Sequence, residues 1–249
     1  MRVLFSSTHL TGDSCPPPPD YSQGYVWPLE DYDIYALPAA PGNAGALPRR
    51  LTNTPGYDAE ATVSPDGKRI IWTSVRDGDL DLYSMNVDGS DVRRLTNAVG
   101  YDGGAFYSPD SKRIVFRSHA PGTPETIARY KELLAANLVA PSNLEIMVAN
   151  ADGSNARAIT SNGAANFAPY WHPDGRRIVF ASNMDDPNGR DFDIFMIRDD
   201  GSDLEKVVAD STFDGFPVFS PSGRKLVFAS NRNSKVRGET NLFIADWIE

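Results

Sequence analysis

The sequence predicts an all-β protein of the β-propeller class, made of four-stranded antiparallel blades with one inserted helix. Three observations support this prediction. A proline-anchored segment recurs four times along the 249 residues, a short apolar run follows each anchor, and Asp-Gly pairs recur at matching places between these runs. A unit with four strand-like segments and a period in the forties is typical of propeller blades.

The recurring segment is anchored by a proline in a short turn that reads Ser-Pro-Asp-Gly or a close variant. The anchors are Pro65, Pro109, Pro173 and Pro221, which lie 44, 64 and 48 residues apart. The long interval contains an insertion after His119. An incomplete copy precedes the first anchor, where RVLFSS aligns with the later RIIWTS and PRRLTN aligns with VRRLTN.

Each unit divides into four strands, a to d. Strand a ends at the anchored turn, strand b is the apolar run, strand c follows a variable loop, and strand d carries the Arg-Arg-Leu-Thr series. Runs such as Ile114-Val115-Phe116 are apolar on successive residues, which is typical of strands buried on both faces. Asp-Gly pairs mark the tight turns, because this dipeptide tolerates the positive φ of a hairpin. These pairs are Asp66-Gly67, Asp88-Gly89, Asp152-Gly153, Asp174-Gly175 and Asp200-Gly201.

The repeat count predicts one propeller domain over residues 1–249 with about four and a half blades. Its units are residues 1–55, 56–99, 100–163, 164–211 and 212–249, of which the first and last are incomplete. The first residue falls at the start of a strand b, so we expect a propeller that is open or truncated. An open propeller exposes strand edges, and such edges predict self-association or pairing with a partner chain.

Two insertions interrupt the pattern. Residues 10–28 are rich in proline and predict a loop with little regular structure. Residues 120–143 predict a helix from Pro124 to about Ala136, because Thr123 can cap it and a proline suits its first turn. Ile127, Tyr130, Leu133 and Leu134 would share one face of this helix. The helix either packs on the rim of the propeller or serves as a docking element for a partner.

Composition excludes several classes of partner. The formal net charge of −9 argues against nucleic acid and against an anionic membrane surface. No stretch approaches the roughly 18 apolar residues that a membrane-spanning helix needs. Cys15 is the only cysteine, so the chain can form neither an intrachain disulfide nor a cysteine-based metal site. Residues 1–10 lack the apolar run of a signal peptide.

One repeat column lies at the start of strand a, on the strand expected beside a central channel. It consists of Asp58, Asp102, Asn166 and Asp214, and Glu60 follows two residues after the first. Carboxylates that converge on a channel could bind Ca²⁺ or another hard cation, for which Asp58, Glu60, Asp102 and Asp214 are the candidates. They could equally attract a basic peptide. The alternative is that each side chain bonds to the backbone of its own blade.

Aromatic residues accompany this column and could grip a ligand or pack between blades. They are Tyr57, Tyr101, Phe167, Phe213 and Phe216. A second column opens strand c, and its regularity predicts a hydrogen bond that stabilises each blade. This column is Asp33, Asp81, Glu145, Asp193 and Asn241.

The sequence predicts no catalytic residues. It contains no G-x-S-x-G or H-E-x-x-H motif and no glycine-rich phosphate loop. His9, His119 and His172 fall at repeat positions that do not bring all three together, so we expect structural roles for them.

The combination of the S-P-D-G-[KR]-[KR] turn, the apolar run and the later N-x-D-G-[ST]-x-x-R-R-[LI]-T segment resembles the WD40-like propeller repeat of the TolB-like family. The resemblance covers essentially the whole chain and implies a six-bladed type of propeller. Because this family is mostly bacterial and exported, it also implies a periplasmic or secreted location, with the cytoplasm left open by the lack of a signal peptide.

A propeller of this family implies a non-catalytic scaffold that binds a protein or peptide, at the bacterial cell envelope. Because propellers host unrelated activities, the fold does not fix the function. One alternative is a metal-dependent, lactonase-like propeller hydrolase, and another is the propeller portion of a prolyl oligopeptidase-like protein. A structural fragment without independent activity is a third.

Overall fold

The computed structural model describes residues 2–9, 25–38, 45–186, 189, 191–236 and 238–248. The middle of the proline-rich insertion, with Cys15, lies outside these residues. The elements in chain order are β1 (Arg2–Ser7), β2 (Trp27–Pro28), β3 (Asp33–Pro38), β4 (Arg49–Arg50), β5 (Asp58–Val63), β6 (Arg69–Ser74), β7 (Asp81–Asn86), β8 (Arg93–Arg94), β9 (Tyr101–Tyr107), β10 (Arg113–His119), α1 (Pro124–Ala135), β11 (Leu138–Val139), β12 (Glu145–Asn150), β13 (Arg157–Ala158), β14 (Asn166–Trp171), β15 (Arg177–Ser182), β16 (Asp193–Arg198), β17 (Glu205–Val208), β18 (Asp214–Phe219), β19 (Lys225–Ser230) and β20 (Asn241–Asp246).

The strands form five blade-type sheets and one two-stranded sheet. Blade 1 has the order β1-β3-β4, blade 2 is β5-β6-β7-β8, blade 3 is β9-β10-β12-β13, blade 4 is β14-β15-β16-β17 and blade 5 is β18-β19-β20. The predicted all-β propeller class with one inserted helix is confirmed. The six-bladed type is wrong for the described residues, because the sequence carries five strand-b segments and each organises one sheet.

The chain divides into two compact units. The first consists of residues 1–63, 67–105 and 119–141, and the second of residues 64–66, 106–118 and 142–249. Blades 1 and 2, the helix and the two-stranded sheet belong to the first unit. Blades 4 and 5 belong to the second, together with most of blade 3.

In the first unit, apolar side chains of strands b and c fill the space between blades 1 and 2. Ile34 of blade 1 packs with Ile70, Trp72, Tyr83 and Met85 of blade 2, and all five are buried. Burying a side chain of this size stabilises the fold by about 1.5–3 kcal/mol. Ile70 and Trp72 of strand b therefore supply the face of blade 2 that meets blade 1.

The second unit repeats this packing twice. Between blades 3 and 4 the core contains Val115, Ile146, Val148, Ile159, Trp171, Ile178, Phe180, Phe195 and Ile197. Between blades 4 and 5 it contains Val179, Ile194, Met196, Phe219, Leu226 and Phe228. In both interfaces the second and fourth residues of one strand c meet the second and fourth residues of the next strand b.

The acidic column at the start of strand c stabilises its own blade, as the sequence predicts. In blade 1, Asp33 forms an ion pair with Arg50 and accepts a hydrogen bond of 3.1 Å from the Thr52 hydroxyl. The Thr52 oxygen in turn accepts from the Ile34 backbone amide at 2.9 Å. The Arg-Leu-Thr motif of strand d thus supplies both partners that the buried carboxylate requires.

Blade 2 repeats the same arrangement. Asp81 pairs with Arg94 at 2.6 Å and accepts from the Thr96 hydroxyl at 3.2 Å. The Thr96 oxygen accepts from the Leu82 amide at 2.9 Å. In blade 4 a lysine replaces the arginine, since Lys206 pairs with Asp193 at 2.5 Å.

The predicted helix is confirmed over Pro124–Ala135. Thr123 is its N-cap and forms a reciprocal capping box with Thr126. Tyr130 and Leu133 are the buried residues of its inner face. The Tyr130 hydroxyl donates to the Asp79 carboxylate and lies 2.7 Å from the Gly100 carbonyl oxygen, so the helix is anchored to blade 2. Burial and the Asp79 carboxylate both raise the pKa of Tyr130.

The two insertions pair with each other, which the sequence reasoning missed. Trp27 and Pro28, expected in an irregular loop, form β2 and pair with Val139 and Leu138 of β11. The Leu29 amide extends this contact by donating to the Asn137 carbonyl at 2.7 Å. The pairing is only two residues long and joins distant segments, so it carries no periodic signal. No helix among the described residues is long and apolar enough to cross a membrane.

Candidate binding site

The first acidic column links neighbouring blades through its backbone. Each residue of the column is the first or second residue of strand a. Its backbone amide donates to a carbonyl of the preceding blade, that of the residue just before strand c. These bonds are Asp58 to Tyr32 at 3.0 Å, Asp102 to Leu80 at 2.9 Å, Asn166 to Leu144 at 3.1 Å and Asp214 to Phe192 at 2.7 Å. The regular spacing of the column therefore has a structural cause.

In blades 2 and 5 the side chains of this column are paired with arginine. Both oxygens of the buried Asp58 lie 3.1 Å from Nη2 of Arg76, and Asp58 also accepts from the Trp72 indole at 2.9 Å. Asp214, which is fully buried, pairs with Arg232 at 2.5 Å. Charge-assisted bonds of this kind compensate the cost of burying a carboxylate.

The two arginines also lie over aromatic rings of their own blades. The Arg76 guanidinium is 5.0 Å from the centroids of Trp72 and Tyr83. The Arg232 guanidinium is 5.1 Å from Phe228 and 5.6 Å from Phe243. A cation held over an aromatic face gains further electrostatic stabilisation.

Blade 4 replaces the ion pair with neutral groups at the same two repeat positions. Asn166 stands where blades 2 and 5 have aspartate, and Met184 stands where they have arginine. The side-chain amide of Asn166 donates to the Leu144 carbonyl and to Oδ1 of Asn162, both at 2.8 Å. Blade 4 therefore lacks both charges of the pair, whereas blade 3 keeps the acid, Asp102, and has Ala120 at the arginine position.

The four predicted metal-ligand candidates are not gathered into a metal site. Glu60 Oε2 accepts from the Thr73 hydroxyl at 2.8 Å and from the Gly104 amide at 2.9 Å. Asp58 and Asp214 bind arginine, and Asp102 is buried at the start of β9. In the part of the chain that the structure describes, no three His, Cys, Asp or Glu side chains could together hold a metal ion.

The aromatic candidates fall into two groups. In the first unit, Tyr57 meets Tyr32 edge to face at 5.9 Å, and Tyr101 is buried. In the second unit, three of the predicted residues and Phe192 form a contiguous group that we call the phenylalanine cluster. Its members are Phe167, Phe192, Phe213 and Phe216.

The rings of the phenylalanine cluster contact one another in edge-to-face, tilted and stacked geometry. Phe167 lies 5.1 Å from Phe192, 6.2 Å from Phe213 and 5.4 Å from Phe216. Phe213 lies 5.9 Å from Phe192 and 6.1 Å from Phe216. Sequence reasoning missed Phe192, although the position before strand c carries Tyr32 in blade 1, and this parallel could have indicated it.

Phe216 is exposed on a strained backbone. It has a φ of +54° and is 56% exposed. A positive φ is a genuine outlier for a bulky residue and costs of order 1–3 kcal/mol. The strain arises from a β-bulge in strand a, where the register with strand b shifts between Gly215 and Val218.

Blades 2 and 4 show the same register shift in strand a, and the equivalent residue of blades 2, 3 and 4 also has a positive φ. Glu60 has a φ of +60°, Gly104 of +61° and Ala168 of +50°. Glu60 uses the position to hydrogen-bond Gly104 of the next strand a, and glycine adopts such a φ without strain. In blade 5 the bulge instead presents a phenylalanine ring to solvent.

Three aspartates are direct sequence neighbours of residues in the phenylalanine cluster. Phe192 is flanked by Asp191 and Asp193, and Phe213 precedes Asp214. Oδ1 of Asp191 and Oδ1 of Asp214 are buried and accept no hydrogen bond from the described residues. Burial first, and then the negative charges of Asp193 and Asp186, raise the pKa of Asp191.

The histidines occupy separate places. His172 replaces the serine of the anchored turn, and its Nδ1 lies 3.0 Å from Asp174 Oδ2. In blade 2 the Ser64 hydroxyl similarly donates to Asp66 at 2.6 Å. The His9 ring contacts Tyr35 in blade 1, with centroids 4.5 Å apart. His119 contacts Tyr130 of the helix at 6.5 Å.

A cleft of about 720 Å³ in the second unit is lined by the a–b turns of blades 3 and 4 and by the c–d turn of blade 4. Several of its charged groups are already paired. Arg113 forms an ion pair with Asp199, donates to the Gly175 carbonyl at 2.6 Å and lies 4.7 Å from the Trp171 ring. This cleft contains none of the site residues that the sequence predicts.

Known proteins match this chain in sequence and in fold. The family model of the TolB beta propeller domain matches residues 45–131. The Tol-Pal system protein TolB of Bordetella pertussis is 41% identical over 58 residues, which are 23% of this chain and 13% of that protein. The chain thus matches only a small part of the curated relative.

Two solved structures share the fold over most of the chain. TolB from Acinetobacter baumannii aligns with a TM-score of 0.66 and 18% identity, over 88% of this chain and 47% of that one. A TolB candidate from Agrobacterium tumefaciens aligns with a TM-score of 0.63 and 24% identity, over 86% of this chain and 70% of that one. At these identities the likeness concerns the fold.

Proposed function

We propose that this chain, a TolB-like β-propeller, is a non-catalytic module that binds a protein or peptide, and that the phenylalanine cluster is its contact surface. The observation that carries the proposal is the exposed Phe216 ring, held on a strained bulge among three other phenylalanines. Strain at a residue that the fold does not require is typical of binding sites.

The repeat itself provides the comparison that separates binding from stability. The positive φ recurs at this position in four blades, so it belongs to the fold, whereas the residue there differs in each. Glu60 accepts a hydrogen bond from the next strand a, and Ala168 has only a small side chain. Phe216 makes no such bond, and 56% of its surface remains exposed in spite of the backbone strain. Aromatic residues dominate the energetics of protein interfaces, because a rigid ring buries a large area at low entropic cost.

The partner chemistry follows from the charges near the cluster. The whole chain carries a net charge of −9, and Asp191 directly precedes Phe192 of the cluster. A partner segment that places an apolar side chain beside a lysine or arginine would complement both the phenylalanine cluster and this negative charge. The relatives named as Tol-Pal system proteins support a place at the bacterial cell envelope for this interaction.

The test is capture of a partner on the immobilised protein from a bacterial envelope extract, followed by affinity measurement with the purified partner. We expect Phe216→Ser to weaken binding at least tenfold, because it removes the exposed ring without opening a core cavity. Leu204→Ser is the matched control, since Leu204 is a similarly exposed apolar residue of the same unit outside the cluster. Capture no better than by a scrambled-surface control, or equal affinity of both variants, would refute the proposal.

A further inference from the structure

Strand β20 of blade 5 exposes a face that every other blade buries. The face is formed by the second and fourth residues of strand c. The second residue is completely buried in the other blades, where it is Ile34, Leu82, Ile146 or Ile194, whereas Leu242 is 80% exposed. The fourth residue is at most 4% exposed in Ala36, Ser84, Val148 and Met196, but 68% exposed in Ile244.

The interface between blades 4 and 5 shows what covers such a face. Ile194 and Met196, the equivalents of Leu242 and Ile244, pack against Leu226 and Phe228 in the next strand b. The cover is therefore the strand-b face of another blade, with apolar side chains at its second and fourth positions.

Blade 1 carries a strand-b face of this kind that is itself uncovered. The second residue of strand b is Val3 in blade 1, and it is 47% exposed. Its equivalents Ile70, Ile114, Ile178 and Leu226 are at most 1% exposed. The fourth residue is Phe5, which stacks on Tyr35 at 5.6 Å and is only partly buried.

We propose that the Leu242/Ile244 face of one molecule packs on the Val3/Phe5 face of a second copy of this chain. The contact reproduces between two molecules the packing that joins blades 4 and 5 within one. It is head to tail, because the two faces are different surfaces, and such contacts build closed rings or open chains. Loss of exposed Leu and Ile surface drives the association, since the hydrophobic effect follows the apolar area removed from water.

The chemistry of β20 agrees with this role. In blades 1, 2 and 4 the residue that opens strand c is an aspartate bound to a basic residue of strand d. In blade 5 that residue is Asn241, which is exposed and donates to Glu239 at 3.1 Å. Blade 5 thus has an exposed asparagine in place of the buried carboxylate that binds strand d in those blades, while it keeps the apolar residues of the face.

The experiment is light scattering on the purified chain over a range of concentrations, with two complementary variants. One carries Leu242→Lys and Ile244→Lys, and the other carries Val3→Lys. We expect the parent protein to associate reversibly and each variant alone to be monomeric. Leu47→Lys is the control, since Leu47 is 88% exposed and belongs to neither face, and it should associate like the parent.

Mixing the two variants tests the head-to-tail geometry. Each variant retains one intact face, so the mixture should form a one-to-one dimer that neither variant forms alone. A parent protein that stays monomeric at every concentration would overturn the proposal. So would a Leu242→Lys, Ile244→Lys variant that associates like the parent, or a mixture that remains monomeric. The circular dichroism spectrum of each variant verifies that it is folded.

Discussion

The ion pair between Asp214 and Arg232 offers a quantitative test of what stabilises blade 5. Removing one member of a buried pair costs about 3–5 kcal/mol, because the other charge is left uncompensated. Arg232 keeps 23% of its side-chain surface exposed, so we expect Arg232→Met to cost about 3 kcal/mol, the low end of that range. For a protein of this size the melting temperature should fall by roughly 6–12 °C.

Blade 4 supplies the rescue for this variant. It has Asn166 and Met184 at the same two positions. The side-chain amide of Asn166 donates to the carbonyl of Leu144, the residue just before strand c of blade 3. The double variant Asp214→Asn, Arg232→Met can form the same bond to the Phe192 carbonyl. Because a neutral pair leaves no buried charge, we expect its stability to return to within about 1 kcal/mol of the parent.

Urea unfolding measures these changes from the midpoint and slope of the transition. Arg224→Met is the control, because Arg224 is exposed in a turn of the same blade and should change stability by less than about 0.5 kcal/mol. A single variant as stable as the control, or a double variant no more stable than the single one, would refute the reasoning.

Three further predictions concern other parts of the molecule. Tyr130→Phe removes the hydroxyl that donates to Asp79, so we expect the helix to open more easily by about 1–3 kcal/mol, seen as faster amide hydrogen exchange in α1 only. Asp191→Asn should raise the melting temperature at neutral pH. The pKa of Asp191 is raised in the folded protein, so the folded state binds more protons than the unfolded state between the two pKa values. The parent protein therefore loses stability as the pH rises from the unfolded pKa of about 3.9 through the folded pKa. The gain should therefore disappear below the unfolded pKa, and an equal gain at every pH would contradict this cause. Because Arg76 already neutralises Asp58, calcium should leave the melting curve unchanged, whereas a calcium-dependent rise would restore the metal-site hypothesis.

The sequence was sufficient for the parts of the fold that depend on local chemistry. The proline-anchored turns, the doubly buried strand-b runs and the helix cap at Thr123 each have a short-range physical cause, and each was found where predicted. The hydrogen bonds of Asp33 and Asp81 were also predictable, because a regular column of buried acids requires partners in every repeat.

The features that the sequence did not reveal depend on contacts between distant residues. The pairing of Trp27 with Val139 joins two insertions that have no repeat counterpart. The bulge at Phe216 is a backbone property and leaves no mark in hydrophobic periodicity. The sequence reasoning also missed the pair of Asp214 with Arg232, although Asp58 and Arg76 occupy the same two repeat positions in blade 2.

The most direct test of the proposed contact surface is a photo-reactive amino acid placed at residue 216 in the protein expressed in a bacterial host. Because this residue is exposed within the phenylalanine cluster, irradiation should yield a discrete covalent adduct with one partner. The same probe at residue 204, exposed but outside the cluster, should yield no such adduct. Identical adduct patterns from the two positions, or no adduct from position 216, would contradict the assignment of the phenylalanine cluster as the contact surface.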